Sequence, residues 1–397
     1  MSEPRTTAVV NIGTLYTGDL AAPIAEADSL LIDNGQIAAV GGITGADADR
    51  VVDVNGATVG PGLIDSHCHV VLGDFTPRQN TVGFLSSYVH GGICQAISPG
   101  EIHTPGRPRN RDGVKALAVA AAHWWETYRP NGMKVHGGAV VIEPVLTDDD
   151  FQEIARQGVR LAKFGFGAYD DPADGLPQVR AAQAAGIKVM CHSGGASIPG
   201  SKPITVDHLL LLRPDVCGHI NGGPTSLDEA GLLTLVNETD LILQFVQAGN
   251  LRSAIEITRA VREAGAERRV ILGSDTPTGT GVIPLAIMKT MAELCSLAGV
   301  EPEVAWAWAT GNTRDVYDLA SGKIEVGRPA DLVVCDAPWG ALADDAGGAL
   351  TRGDIPGISA VIIDGVVRTL RSRNTPAAAR AVTVTPEIAE PPGSGHV

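Results

Sequence analysis

Positive charge is scarce in this sequence: 30 Lys and Arg face 45 Asp and Glu, giving a formal net charge of −15. A nucleic-acid binder needs a basic face to displace counterions from phosphates, so that class is excluded. An anionic small molecule is not, because a few local arginines can outweigh a distant global charge. No uninterrupted apolar run reaches 18 residues, so no membrane span is expected. The opening MSEPRTTAVV lacks the basic and apolar regions of a signal peptide, which points to the cytoplasm. No CxxC pair occurs among Cys68, Cys94, Cys191, Cys217, Cys295 and Cys335. Their apolar surroundings predict buried, reduced thiols in a cytosolic enzyme. Aromatics are few, at 4 %, yet 44 % hydrophobic and only 19 % charged residues exclude a disordered chain. At 397 residues there is chain enough for one large core and a smaller module.

Residues 1–58 alternate short apolar runs with turns, and Asp33-Asn34-Gly35 between two such runs predicts a hairpin. Residues 321–397 resume that texture in KIEVGRPADLVVCD and VIIDGVVRT, with Asp364-Gly365 marking a second hairpin. Both ends are therefore expected to build one small β-sandwich domain. From Arg373 onward the chain is rich in Pro, Ala and Glu with little periodicity, which predicts a surface-hugging or partly disordered tail. Residues 59–320 read differently. GLID, ICQAIS, KVHGGAVV, VRLAKFGF, IKVMCHS, VCGHI, LILQFVQ and RVILGSD are strand-like, and helical stretches such as VKALAVAAAHWWETY and SAIEITRAVREAG lie between them. Eight β/α repeats fit an α/β (β/α)8 TIM barrel, with its active site at the C-terminal strand ends. An open doubly wound sheet would normally carry a glycine-rich phosphate turn after its first strand. That turn here reads His67-Cys68-His69, so the barrel is favoured.

Several of these strands end on metal-ligand chemistry. His67 and His69, two apart on an extended segment, project to one side and can reach one cation. Alone, such a pair could equally be two unrelated histidines near a turn. Lys163 sits inside the apolar run LAKFGFG, where a lysine more often snorkels to solvent. Burial would lower its pKa, and a neutral amine beside metals can take up carbon dioxide as a carbamate. The fifth, sixth and eighth strands end at His192, His219 and Asp275. Any one of these is a weak signal, but the set is a strong one.

The stretches HCHVVLGDFTPRQ, HTPGRPR, KVHGGAVV, HSGGASIPGS, HINGGPT, SDTPTGTGVIPL, ATGN, GRPADLVV, GDIPGIS and SRNTPAA carry a resemblance. Over nearly its whole length the chain resembles the binuclear, metal-dependent amidohydrolase superfamily, and the blocks outside the ligands resemble its enamidase branch. The resemblance implies that His67 and His69 hold the more buried metal and His192 and His219 the more exposed one. Lys163 would bridge them as a carbamate, because the superfamily uses a glutamate or a carboxylated lysine there. Asp275 would hold the buried metal and handle protons. Two divalent ions follow, zinc foremost, with iron, manganese or cobalt also suited to these ligands. A hydroxide held between the ions would open a cyclic amide, in this branch a carboxylated unsaturated lactam resembling 6-oxo-tetrahydronicotinate, and ammonia and an aldehyde acid would follow. A homo-oligomer, dimer or tetramer, acting on a small molecule is expected.

For the substrate carboxylate, Arg107 and Arg78 lie in loops at the rim, where a planar guanidinium matches a carboxylate. His103 and His136 are further candidates for the pocket, and Asn221 either orients a ligand or caps a helix. His90, His123, His208 and His396 are not expected to be ligands. The four tryptophans at 124, 125, 306 and 308 are expected to pack the outer layer. The competing readings are another cyclic-amide, imide or hydantoin hydrolase or an aminohydrolase on the same centre. A metal-free scaffold protein would show gaps among the six ligands, and none is missing.

Overall fold

The computed structural model describes residues 5–76, 78–100, 102, 104, 106–222, 226–277 and 281–388. Leu63–Asp65, Ile93–Ile97 and Lys134–His136 form one parallel sheet. Val140–Val141, Leu161–Phe164, Lys188–His192, Val216–Gly218, Ile242–Val246 and Val270–Gly273 follow in chain order in a second. The last strand also meets the first, since Ser66 N–H donates to the Leu272 carbonyl at 3.0 Å and Asp275 N–H to that of His67 at 2.8 Å. The run KVHGGAVV, expected as one strand, is split at Gly137-Gly138. A Cβ at Gly137 would lie 2.3 Å from Trp125 Cδ1, and Gly138 has φ +81°, so the helix Arg111–Thr127 packs directly on bare backbone there.

Helices alternate with the strands. In Leu251–Glu263 the buried Ala254, Ile257, Thr258 and Val261 repeat at the helical period, and Asn250 caps the start by accepting from Ser253 N–H. Trp125, Trp306 and Trp308 are buried, while Trp124 is half exposed. All six cysteines are buried and unpaired. Among the described residues no helix is long and apolar enough to cross a membrane.

The chain ends interleave in two further sheets. One runs Val366–Leu370, Gly357–Ile363, Leu332–Asp336, Thr58–Pro61, Thr14–Tyr16, Ile24–Ala25, and the other Thr383–Thr385, Arg50–Asp53, Thr6–Val10, Leu30–Asp33, Gln36–Val40. Val9, Leu30, Ile32 and Val52 of one sheet pack with Leu15, Val59, Leu332, Val334 and Ile362 of the other. Asn34 and Gly35 take φ 48° and 79°, the left-handed pair that a two-residue hairpin requires, and Asp364-Gly365 repeats it. The tail is more ordered than its composition suggests. Thr383–Thr385, with β-branched residues at every position, adds an edge strand along Arg50–Asp53. Residues 389–397, including His396, lie outside the described residues.

Candidate metal centre

Six side chains converge at the C-terminal ends of the parallel strands. His67 and His69 follow the strand Leu63–Asp65, and Asp275 follows Val270–Gly273. Asp275 Oδ1 lies 3.4 Å from His67 Nε2 and 3.3 Å from His69 Nε2, so these three could hold one cation between them. His192, the last residue of its strand, brings Nδ1 to 3.0 Å from His219 Nε2. The His67 and His219 rings, 5.6 Å apart, join the two groups. Asp275 and His219 both have left-handed backbones, φ 57° and 43°. Such conformations cost energy in non-glycine residues and cluster at functional sites.

Neighbours set which nitrogen each ring presents. His69 Nδ1 is 3.2 Å from the Gly100 carbonyl and His192 Nε2 is 2.7 Å from that of Gly195. A carbonyl only accepts, so those nitrogens carry the protons and the other nitrogen of each ring is left with its lone pair. His67 Nδ1 meets Gln244 Oε1 at 2.6 Å. Asp65 ties the first strand to the last, accepting from the backbone N–H groups of His67 at 3.0 Å and Ser274 at 2.8 Å. Burial pushes the Asp65 carboxyl up to about 6, although these bonds oppose it.

Burial, with Lys163 adding to it, drives the His67 imidazole far below its ordinary value. Burial and the neighbouring His192 do the same to His219, and burial brings His192 to about 4. For Asp275 burial pushes upward, but His67, His69 and His219 outweigh it and hold the carboxyl well below the usual range. Neutral imidazoles with an ionised carboxylate are the donor set a divalent ion takes, and burial favours the neutral form of His67, His192 and His219. His67 Nε2, which faces Asp275, is buried without a hydrogen bond among the described residues, a costly state that a cation would relieve. Among the described residues Lys163, 1 % exposed, has Met190 Sδ at 3.5 Å as its hydrogen-bond acceptor and the Phe166 ring at 5.9 Å; burial lowers it to about 8.

The remaining candidates go elsewhere. Arg107 is buried, donating from Nη1 to Glu143 Oε1 at 3.0 Å and from Nη2 to the Phe166 carbonyl at 3.2 Å. Glu143 in turn accepts from Ala168 N–H at 2.8 Å, so the pair clamps the loop whose Phe166 ring packs edge-on against His192. Arg78 is exposed in the turn after Phe75–Thr76. His136 bonds Gln95 Oε1 through Nε2 at 3.0 Å and lines a separate cavity of about 450 Å³ with Lys134 and Arg160. The Asn221 amide is spent on the backbone of Val246, accepting from N–H at 2.9 Å and donating to C=O at 3.0 Å. His103 lies outside the described residues. Gln244, Glu143 and Asp65 were not singled out by the sequence, although a lone amide within LILQFV is a signal of the same kind as Lys163.

The amidohydrolase family's sequence pattern matches residues 217–368. Enamidase of Eubacterium barkeri is 44 % identical over 382 residues, covering 95 % of this chain and 99 % of that protein. The chain belongs to the amidohydrolase family. An enamidase crystal structure matches this amidohydrolase with a TM-score of 0.92 at 44 % identity, covering 96 % of this chain and 100 % of that one. Imidazolonepropionase of Streptomyces griseus is 25 % identical over 374 residues, with 84 % of this chain and 93 % of that protein covered. The mixed α/β, barrel-type fold and a requirement for divalent metal ions go with the family, and the donors described above fit such ions.

Proposed function

We propose that this amidohydrolase opens a cyclic amide, a carboxylated unsaturated lactam resembling 6-oxo-tetrahydronicotinate, by hydrolysis of its ring C–N bond. What supports the reading is the end-to-end match to enamidase, together with the His67–His69–Asp275 and His192–His219 groupings. His67 and His69 would hold one ion together with Asp275, and His192 and His219 a second. Lys163, buried with no oxygen acceptor, would bridge them as its carbamate, which replaces a costly buried ammonium by a ligand carboxylate. Zinc leads among the metals that suit this set, followed by iron, manganese or cobalt. Bound divalent ions supply water acidified to near neutral pH and polarisation of the scissile carbonyl.

The chain's own residues do the rest. Asp275 accepts the proton of the attacking water on a carboxylate oxygen and passes it to the departing ring nitrogen. The ring C–N bond breaks and the carbonyl carbon becomes a carboxylate. The freed nitrogen belongs to an enamine, which tautomerises to an imine; a second water releases ammonia and leaves an aldehyde acid. Phe166, held by the Arg107–Glu143 clamp, forms a wall beside His192. Because Glu143 already meets the Arg107 charge, Arg107 would shape the loop, and Arg78 would be the cation for the ring carboxylate.

On the same reading, residues 59–320 close as a (β/α)8 barrel, and residues 1–58 with 321–397 make the β-sandwich. We place the protein in the cytoplasm as a dimer or tetramer, which light scattering would measure. Metal-loaded protein supplied with 6-oxo-1,4,5,6-tetrahydronicotinate is expected to lose the ring chromophore and release ammonia in equal amounts. Turnover of hydantoins or imides with none of the lactam would overturn the substrate class.

A further inference from the structure

Gln244 lies in the middle of the strand Ile242–Val246, is fully buried, and reaches both groups of the metal centre. Its amide orientation is settled by two partners that allow no choice. The Ser66 carbonyl, which can only accept, lies 2.9 Å from Nε2, and the His219 N–H, which can only donate, lies 3.3 Å from Oε1. Turning the amide over would set oxygen against oxygen at Ser66 and N–H against N–H at His219. Ser66 Oγ, also 2.9 Å from Nε2, is a further partner at the same end. With Oε1 so fixed, its 2.6 Å contact to His67 Nδ1 requires a proton on Nδ1. The lone pair of a neutral His67 is therefore on Nε2, the nitrogen that is buried without a partner and faces Asp275 at 3.4 Å.

We propose that Gln244 is a positioning residue that locks the tautomer and ring plane of His67, and thereby sets the metal affinity of the His67–His69–Asp275 site. The inference rests on the metal centre and not on the lactam, so it is tested without substrate. Without the acceptor, Nδ1–H would be buried and unpaired, and the ring would gain by rotating or by moving its proton to Nε2, which destroys the ligand. Partners of this kind are worth about 10–100-fold in metal affinity.

Metal-free protein is titrated with cobalt, followed by its visible absorption, and with zinc in competition with a chelator. Gln244→Met keeps the bulk and removes the acceptor; it is expected to weaken one site by about 10–100-fold and leave the second within about threefold. Gln244→Glu, as the neutral acid, keeps both an acceptor for His67 and a donor to the Ser66 carbonyl, and is expected to bind within about threefold of the parent. Parent-like affinity in Gln244→Met, or equal weakening in both variants, overturns the proposal, the second because it reveals a packing role. A variant that fails to fold does not remove the test. Nitrogen-resolved NMR of the parent's histidine rings must show the His67 proton on Nδ1, and a proton on Nε2 overturns the assignment. Failure of lactam turnover would leave these readouts unchanged.

Discussion

In the sheets built from the chain ends, the fully buried Asp336 receives both the Nε and Nη2 of Arg380 and its backbone N–H at 3.0 Å. Nearby, Asp331 takes Lys134 Nζ at 2.6 Å together with the Ser321 hydroxyl. At the ends of the parallel strands Lys163 is just as buried, yet among the described residues its hydrogen-bond acceptor is a thioether, and His67 Nε2 makes no hydrogen bond, with Asp275 Oδ1 3.4 Å away. Burying an unsatisfied charge or polar atom costs several times what a satisfied one does. The two aspartates show how this chain pairs a buried charge when only stability is at stake, although Thr369 Oγ1 in the same sheets is itself buried without a hydrogen bond among the described residues. What sets the strand ends apart is the chemistry left open there, an amine and an imidazole nitrogen, groups that can serve metal ions.

The comparison is broken most severely by removing the amine. Lys163→Ala is expected to lose metal and turnover together, with partial recovery on adding short carboxylates that can enter the vacated space; metal analysis and kinetics check both. A fully metallated, fully active variant would remove Lys163 from the site. Asp275→Asn retains shape but not basicity, so kcat is expected to fall by about 10²–10⁴-fold. Metal content measured on the same sample separates proton handling from ligation. In the other region, Arg380→Ala takes both guanidinium bonds from Asp336 and leaves it the backbone N–H of residue 380. Arg380 is a third exposed, so the low end of the cost for breaking a buried pair applies, about 3 kcal/mol in urea unfolding. Turnover per folded, metal-loaded molecule should be unchanged, and a loss there would show that the two regions are not independent. The smallest effect is on selectivity. Arg107→Ala is expected to impair a carboxylated lactam and its neutral analogue to within about threefold of each other, because the Arg107 charge is already met by Glu143. A loss confined to the carboxylated substrate would return Arg107 to the role of anion receptor.

What could be read in advance follows the distance over which a signal acts. The two hairpins and the strand–helix alternation are local patterns, and so is the recurrence of His67, His69, Lys163, His192, His219 and Asp275 in or just after strands, the groups that the structure brings close together. Gln244 became meaningful only when its partner Ser66, 178 positions away, was in place. Arg107 looked like a free cation because Glu143, 36 residues on, could not be seen to neutralise it. Asn221 and His136 had the chemistry of ligands, but the backbone of Val246 and the amide of Gln95 had already claimed their polar atoms. Composition left open whether the tail hugs the surface, and the reason is related: Thr383–Thr385 is ordered by an edge that Arg50–Asp53 supplies from the other end of the chain.

That interleaving also has a consequence in time. Thr58–Pro61 pairs with Leu332–Asp336, with Val59 opposite Val334, so a strand made early waits for a partner about 270 residues later. At roughly 5–20 residues per second, the ribosome leaves that edge open for about 15–50 s. Throughout the interval Val59 and its neighbours offer an unpaired strand to whatever else is being synthesised nearby. The pairing of Leu332–Asp336 with Thr58–Pro61 thus comes only after every one of the parallel strands between them has been made.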